Sequence, residues 1–457
     1  MLKLNKLALS VVLATTLAGC ANIDDSYQAS QKDYQQYAEL TQQYNIKEDW
    51  WSLYNDPQLN RLVEQALLNN KDLALAAISV NSALYNANLL GADLVPAFNG
   101  STSSSASKNI HRGGNSTLSQ GGSLSVSYTL DLWRRLADAA SAGEWTYHAT
   151  EESMESTRLT LINSVITTYY QLAYLNDAIA ASQDAVDYYS QINSIMQNRL
   201  RQGVEDSAST DQAQQSVLTA RNTMISYQTQ KKTAEQTMRN LLNLKPNEPL
   251  NITYPHILNV KNVDVNMNVP VSTIANRPDV KNYLYQLNSA FKDAKATQKS
   301  WFPTISLGAS LASTGTHVNN ALNNPIATGT LGISLPFLDW NHVKWNVKIS
   351  EAAYETARVN YEKAITTALN DIDTNYYAYS QYKQNYTNLQ QTYDYEKRIT
   401  QYYRNRYNAG VSTLKDWLTA ANTEKTTQIS VLNAKYNIIN YENAIYSSMA
   451  GYYSPKN

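Results

Sequence analysis

The chain has 457 residues, with 37 Lys and Arg against 38 Asp and Glu, so its charge favours neither nucleic acid nor an acidic partner. That length exceeds an ordinary single globular domain unless very long helices carry it. Tyr numbers 34 against 4 Phe, and one cysteine leaves no disulfide within the chain.

Lys3 and Lys6 precede an apolar run from Leu7 to Ala18, the length of a signal h-region rather than a membrane anchor. It ends in Leu17-Ala18-Gly19-Cys20, which resembles the lipobox of bacterial lipoproteins. That resemblance implies a signal peptide over 1–19, an acyl group on Cys20 and a lipidated segment over 20–49. Ala21 following the cysteine implies sorting to the outer membrane, with the body of the chain in the periplasm. No later stretch holds about 18 consecutive apolar residues, so any spanning has to use strands.

The sequence repeats itself at one fixed offset. Asp72, Pro96, Trp133 and Gly203 recur as Asp279, Pro303, Trp340 and Gly410, each 207 residues later and in similar local sequence. Four landmarks in register argue for a duplication with every element length preserved. The expected copies are 50–244 and 271–453, joined by a connector over 245–270 and followed by a tail at 454–457.

Each copy holds a period-two stretch. Leu124, Val126, Tyr128 and Leu130 alternate with Ser and Thr, and the shift of 207 lands on Leu331, Ile333, Leu335 and Phe337. Ile305, Leu307, Ala309 and Leu311 mark a third strand, whose counterpart through Ser101 to Ser107 alternates poorly. The expected strands are about 97–107, 122–132, 304–313 and 327–338, with Pro336 counting against a regular strand there. Four strands with one polar face cannot close a membrane barrel, which starts at about eight, so the chain has to pool strands with other copies. A soluble sandwich of two hairpins is the alternative. Trp133, Trp301, Trp340 and Trp345 cluster where strands meet helices, as an aromatic rim at a bilayer interface does. Packing at a domain junction is the plainer reading.

The rest is helical. From Arg135 to Arg201 there is no proline, and Val165, Leu172, Ile179 and Val186 recur every seven residues as a coiled-coil seam. Such a helix runs to roughly 100 Å. Gly203 and Gly410 then allow tight turns into return helices over about 207–244 and 413–449.

Trp50-Trp51-Ser52-Leu53-Tyr54-Asn55-Asp56-Pro57, Asn276-Arg277-Pro278-Asp279-Val280 and Trp301-Phe302-Pro303-Thr304-Ile305 resemble stretches of the TolC-like outer membrane factors serving resistance-nodulation-division pumps. With the lipobox, the resemblance points to the lipoprotein branch and covers residues 20 to 453. It implies a mainly α protein with a membrane β-barrel: a homotrimer in which each protomer gives four strands to a twelve-stranded barrel continued by an α-helical tunnel. Its implied partners are a periplasmic adaptor, an inner-membrane transporter and outer-membrane lipid. By the same resemblance, Asp416 and Tyr407 match positions of the periplasmic gate, while Thr419 replaces a second gate aspartate. Gly203, Val204, Gly410 and Val411 become the tips that meet the adaptor.

No Walker A, dinucleotide fingerprint, nucleophile elbow or HExxH occurs. No enzyme activity, catalytic residue, metal, cofactor or nucleic acid is therefore expected. The function expected is passive conduction through an exit duct of a tripartite efflux system. Type I protein secretion and metal efflux remain alternatives within the duct class, and a structural coiled-coil lipoprotein outside it.

Overall fold

The computed structural model describes residues 49–108, 110–111, 116–246, 248–263, 265, 277–317 and 323–449. The signal stretch, Cys20, nearly all of the lipidated segment, Asn276 and the tail lie outside them.

A 3-10 turn over Trp50–Tyr54 leads into α1 (Pro57–Asn69) and α2 (Lys71–Ala92). Asp56 caps α1 by accepting from the amides of Gln58 and Leu59, with Pro57 in the first turn where its missing N–H costs nothing. Two strands follow, β1 (Ala97–Ser107) and β2 (Thr117–Leu130), then the long α3 (Arg135–Arg201) and its return α4 (Ser207–Leu241). The second copy repeats the order as α5 (Pro278–Gln298), β3 (Thr304–Gly315), β4 (Ile326–Ser334), α6 (Trp340–Asn408) and α7 (Leu414–Ser448). Shifting α4 by 207 reproduces both ends of α7. Equivalent caps bind equivalent carbonyls: Asn70 Nδ2 donates to Leu241 O at 3.1 Å, and Arg277 Nη1 to Ser448 O at 3.4 Å.

The strands form one antiparallel sheet in the order β1-β2-β3-β4. Its boundaries correct the sequence reading twice. β2 begins at Thr117 rather than 122 and pairs through a glycine- and serine-rich half that shows no apolar alternation. β4 stops at Ser334, because Pro336 opens a 3-10 turn over Pro336–Asp339 and takes Leu335 and Phe337 out of the strand. β1, weakly marked in sequence, pairs with β2 along its whole length.

The helices lie side by side. Nearer the sheet the neighbours run α2, α3, α5, α6; beyond the middle they run α4, α3, α7, α6. The coiled-coil seam is the core: Val165, Leu172 and Val186 are buried, as are Leu161, Leu175, Tyr189 and Met196 one position over, while Ile179 is half-buried. α2 is long and apolar enough to cross a membrane by length and composition. Asn81, Ser82, Asn86 and Asn88 interrupt it, however, and it packs along α3.

Midway down, the N-terminal turn and the connector wrap this layer as a belt. Trp50 Nε1 donates to Asn443 Oδ1 at 2.9 Å, Gln58 exchanges two hydrogen bonds with the Thr253 backbone, and Asp177 accepts from the Ile257 amide at 2.7 Å. Glu442, fully buried beneath the belt, accepts from Tyr379 Oη at 3.1 Å.

Candidate functional site: barrel wall, aromatic rim and tip

Register sorts the sheet into two unlike faces. Phe98 stands opposite Val126, Val126 opposite Ala309, and Ala309 opposite Gly329; the next rows hold Leu124, Leu311 and Ala327, then Tyr128, Leu307 and Leu331. Leu130, Ile305 and Ile333 complete an apolar band toward the helices. The other face carries Ser, Thr, Gly, Ala and Asn over nearly all its area. Apolar outside and polar inside is the arrangement of a membrane barrel wall, and the outer face is exposed in the single chain, which excludes the soluble sandwich.

At the helix end of that band, the Trp133 ring stacks on Phe302 at 4.8 Å and its indole N–H donates to Pro303 O at 2.9 Å. Trp340 and Trp345 are exposed with the Lys344 ammonium over both rings, at 5.8 and 5.2 Å. Trp301 is half-buried. The four tryptophans thus sit at the junction the sequence assigned to them, three of them exposed beside Leu132 and Leu338.

The far ends of α3 and α6 turn in the same way. Gly203 and Gly410 have φ of 71° and 74°, left-handed values that a side chain disfavours. Val204 N donates to Arg199 O, and Val411 N to Arg406 O, both at 3.0 Å, closing each helix in a Schellman turn. The two valines are 59% and 58% exposed, so both tips end in an apolar residue offered outward. Asp416 is exposed and its carboxylate folds back on its own helix. It accepts from Thr413 Oγ1 at 2.7 Å, the Thr413 amide at 3.0 Å and Ser412 Oγ at 3.0 Å, a capping box. These bonds, the Thr413 hydroxyl's first, hold its carboxyl below the ordinary value, so it is ionised at neutral pH.

Tyr407 is buried between the two helix pairs instead. Its hydroxyl donates to Glu205 Oε2 at 2.7 Å and lies 3.2 Å from Met196 Sδ, its ring faces Trp417 at 5.5 Å, and Arg199 covers it at 5.3 Å. Burial, then the Glu205 carboxylate, pushes its phenol up to about 12. Asp416 and Tyr407 therefore make separate contacts within one chain. Glu205, Arg199 and Trp417 escaped the sequence reading. The signal for Glu205 was the mismatch between copies, since its counterpart 207 residues on is Ser412.

Among the described residues no group of three or more His, Cys, Asp and Glu could hold a metal ion. Met196 and Met238 are buried.

The family model for outer membrane efflux proteins matches residues 62–244 and 269–451, two stretches related by the same shift of 207. The chain is 68% identical over 456 residues to toxin and drug export protein A of Aggregatibacter actinomycetemcomitans, covering all of both chains. It is 25% identical over 451 residues to the cation efflux system protein CusC of Escherichia coli K12, covering 96% of this chain and 98% of that protein. Its fold matches the Campylobacter jejuni CmeC outer membrane channel at a TM-score of 0.80 and 24% identity, over 89% of this chain and 88% of that one. Band, rim, paired tips and duplicated sequence converge: the chain belongs to the outer membrane efflux protein family.

Proposed function

We propose that three copies of this chain close into one continuous duct, a twelve-stranded barrel in the outer membrane leading into a periplasmic tunnel of helices. One observation carries this reading: among the described residues every tier is four elements wide and open on both sides. The sheet ends in unpaired β1 and β4, the upper helices in α2 and α6, and the lower helices in α4 and α6. The helical edges bear exposed apolar residues, Leu75, Ile78 and Leu89 on α2, Leu218 and Ile225 on α4, and Val359, Leu369 and Ile399 on α6. Unpaired strand edges in hydrocarbon cost several kcal/mol per group, and only closure removes them.

In this reading Cys20 carries the acyl chains that tether the segment before Asp49 to the inner leaflet, and Trp133, Trp301, Trp340 and Trp345 mark the lipid boundary. The Gly203-Val204 and Gly410-Val411 tips face the periplasm and receive an adaptor, which links the duct to an inner-membrane transporter. The duct itself is passive. The full-length relative named for toxin and drug export makes drugs and toxins the favoured cargo. Metal export draws its support from cation efflux relatives at 25% identity, and Met196 and Met238 are buried.

Purified full-length protein is expected to run as a heat-sensitive trimer and to give sustained conductance steps in planar bilayers. A monomer without conductance overturns the duct. Labelled palmitate entering wild type but not Cys20→Ala supports the anchor; equal labelling removes it.

A further inference from the structure

The same register that sorts the faces shows something the duct reading does not require. None of the residues in the four strands is Asp, Glu, Lys, Arg or His. On the outer face the bilayer imposes this, because a charge at mid-depth costs about 2–4 kcal/mol. Water wets the inner face, where charged rings are tolerated and set ion selectivity. There the rows read Asn99, Ser125, Ser310, Thr328 and, one step on, Ala97, Ser127, Gly308, Thr330.

Resting on the duct reading above, we infer that the membrane-crossing section is a neutral, hydroxyl-lined sleeve that passes anionic and cationic solutes alike, leaving charge selection to the helices. Twelve strands about 4.8 Å apart and tilted by about 40° give a backbone radius of about 12 Å, and small side chains narrow it little. Ser125 lies six residues before Asp131, the first charge after β2. At about 3.4 Å per residue and that tilt, this is about 15 Å of height, beyond a screening length of about 8 Å. The hydroxyls meet solutes as water does, with no field of either sign.

The test uses the full-length trimer with Ser125→Cys, in which an acylated Cys20 leaves no competing thiol, and two methanethiosulfonates, one sulfonate-bearing and one trimethylammonium-bearing. Normalised to a free thiol, the two modification rates are expected to agree within about threefold, since no nearby charge enriches either reagent. A ratio of about tenfold in either direction reveals a charge filter in the barrel and overturns the inference. An unreactive Ser125→Cys beside a reactive Leu124→Cys overturns it too, by inverting the faces. Wild-type protein that never conducts sinks the duct reading instead, while the two labelling rates still report the charge at Ser125.

Discussion

Replacing Glu442 with Gln is expected to change how the protein's stability depends on pH while leaving the belt's hydrogen bonds in place. Glu442 is 0% exposed, and Oε2 has no hydrogen-bond partner among the described residues. Burial pushes its carboxyl up to about 8, outweighing the Val263 amide, the Tyr379 hydroxyl and the pull of Lys435 and Lys383. Tyr54, Tyr170 and Tyr446 surround it, each largely buried. A carboxyl that titrates near 8 folded and near 4.5 unfolded holds an extra proton in the folded state between those values. Its contribution to stability is therefore complete below pH 4.5 and is lost as pH rises through 8. The ceiling on that loss is about 5 kcal/mol per chain, at about 1.4 kcal/mol per pH unit. For a chain this long that is about 5 °C in melting temperature. Gln still accepts from Tyr379 and cannot ionise. Melting the trimer in detergent at a fixed scan rate between pH 5 and 9 should show wild type falling from about pH 5 and flattening above about pH 8, with Glu442→Gln level throughout. Parallel curves across that range would refute the buried neutral carboxyl.

Three further outcomes follow from the tip. Gly410→Val places a β-branched residue at a φ of 74° with open space around its Cβ, so backbone strain of about 1–2 kcal/mol is the whole cost. Amide exchange at Tyr407 to Val411 should quicken while Gly410→Asn stays near wild type; equal effects from both would argue for a lost contact instead. Tyr407→Phe removes the bond to Glu205, but Arg199 at 3.3 Å and Ser209 Oγ at 2.9 Å keep that carboxylate partnered, which holds the cost to about 1–2 kcal/mol. More frequent openings in single-channel records are the expected result, and an unchanged open probability removes Tyr407 from the gate. Asp416→Asn should both loosen the first turn of α7, read by exchange at Leu414 to Trp417, and lower cation selectivity; an identical reversal potential leaves it a helix cap alone.

Much of this architecture was legible because long-range order was written in short-range terms. The 207-residue shift needed only landmark residues, and the extent of α3 and the start of α4 followed from Gly203 and from the absence of proline between Arg135 and Arg201. The strands were read by apolar alternation, and alternation fails where both faces are polar. Hence β1 was weakly marked and the first five residues of β2 were missed, although their backbone pairs as well as the rest. β4 was read too long for the opposite reason, since Leu335 and Phe337 keep the period beyond the proline that ends the strand. The belt had no local signature at all. Trp50 reaches Asn443 across the length of the chain, and no periodicity encodes such a contact.

The tip was partly legible for a different reason: its contacts diverge where the copies stop matching. In the first copy Ser209 Oγ donates to Glu205 at 2.9 Å; in the second Ser412 Oγ donates to Asp416 at 3.0 Å. Shifted by 207, Glu205 becomes Ser412 and Ser209 becomes Asp416, so acid and hydroxyl have exchanged places around one conserved i,i+4 bond. The exchange frees each carboxylate for a different task. Glu205, at the first site, pairs with Arg199 of its own helix pair and accepts from Tyr407 of the other, joining the two. Asp416, one helical turn further along at the second site, caps α7 and stays exposed. Duplication alone would have given a protomer two like tips. Moving one carboxylate by four residues makes one tip a brace and leaves the other with a charge facing solvent, which three copies around an axis would bring together.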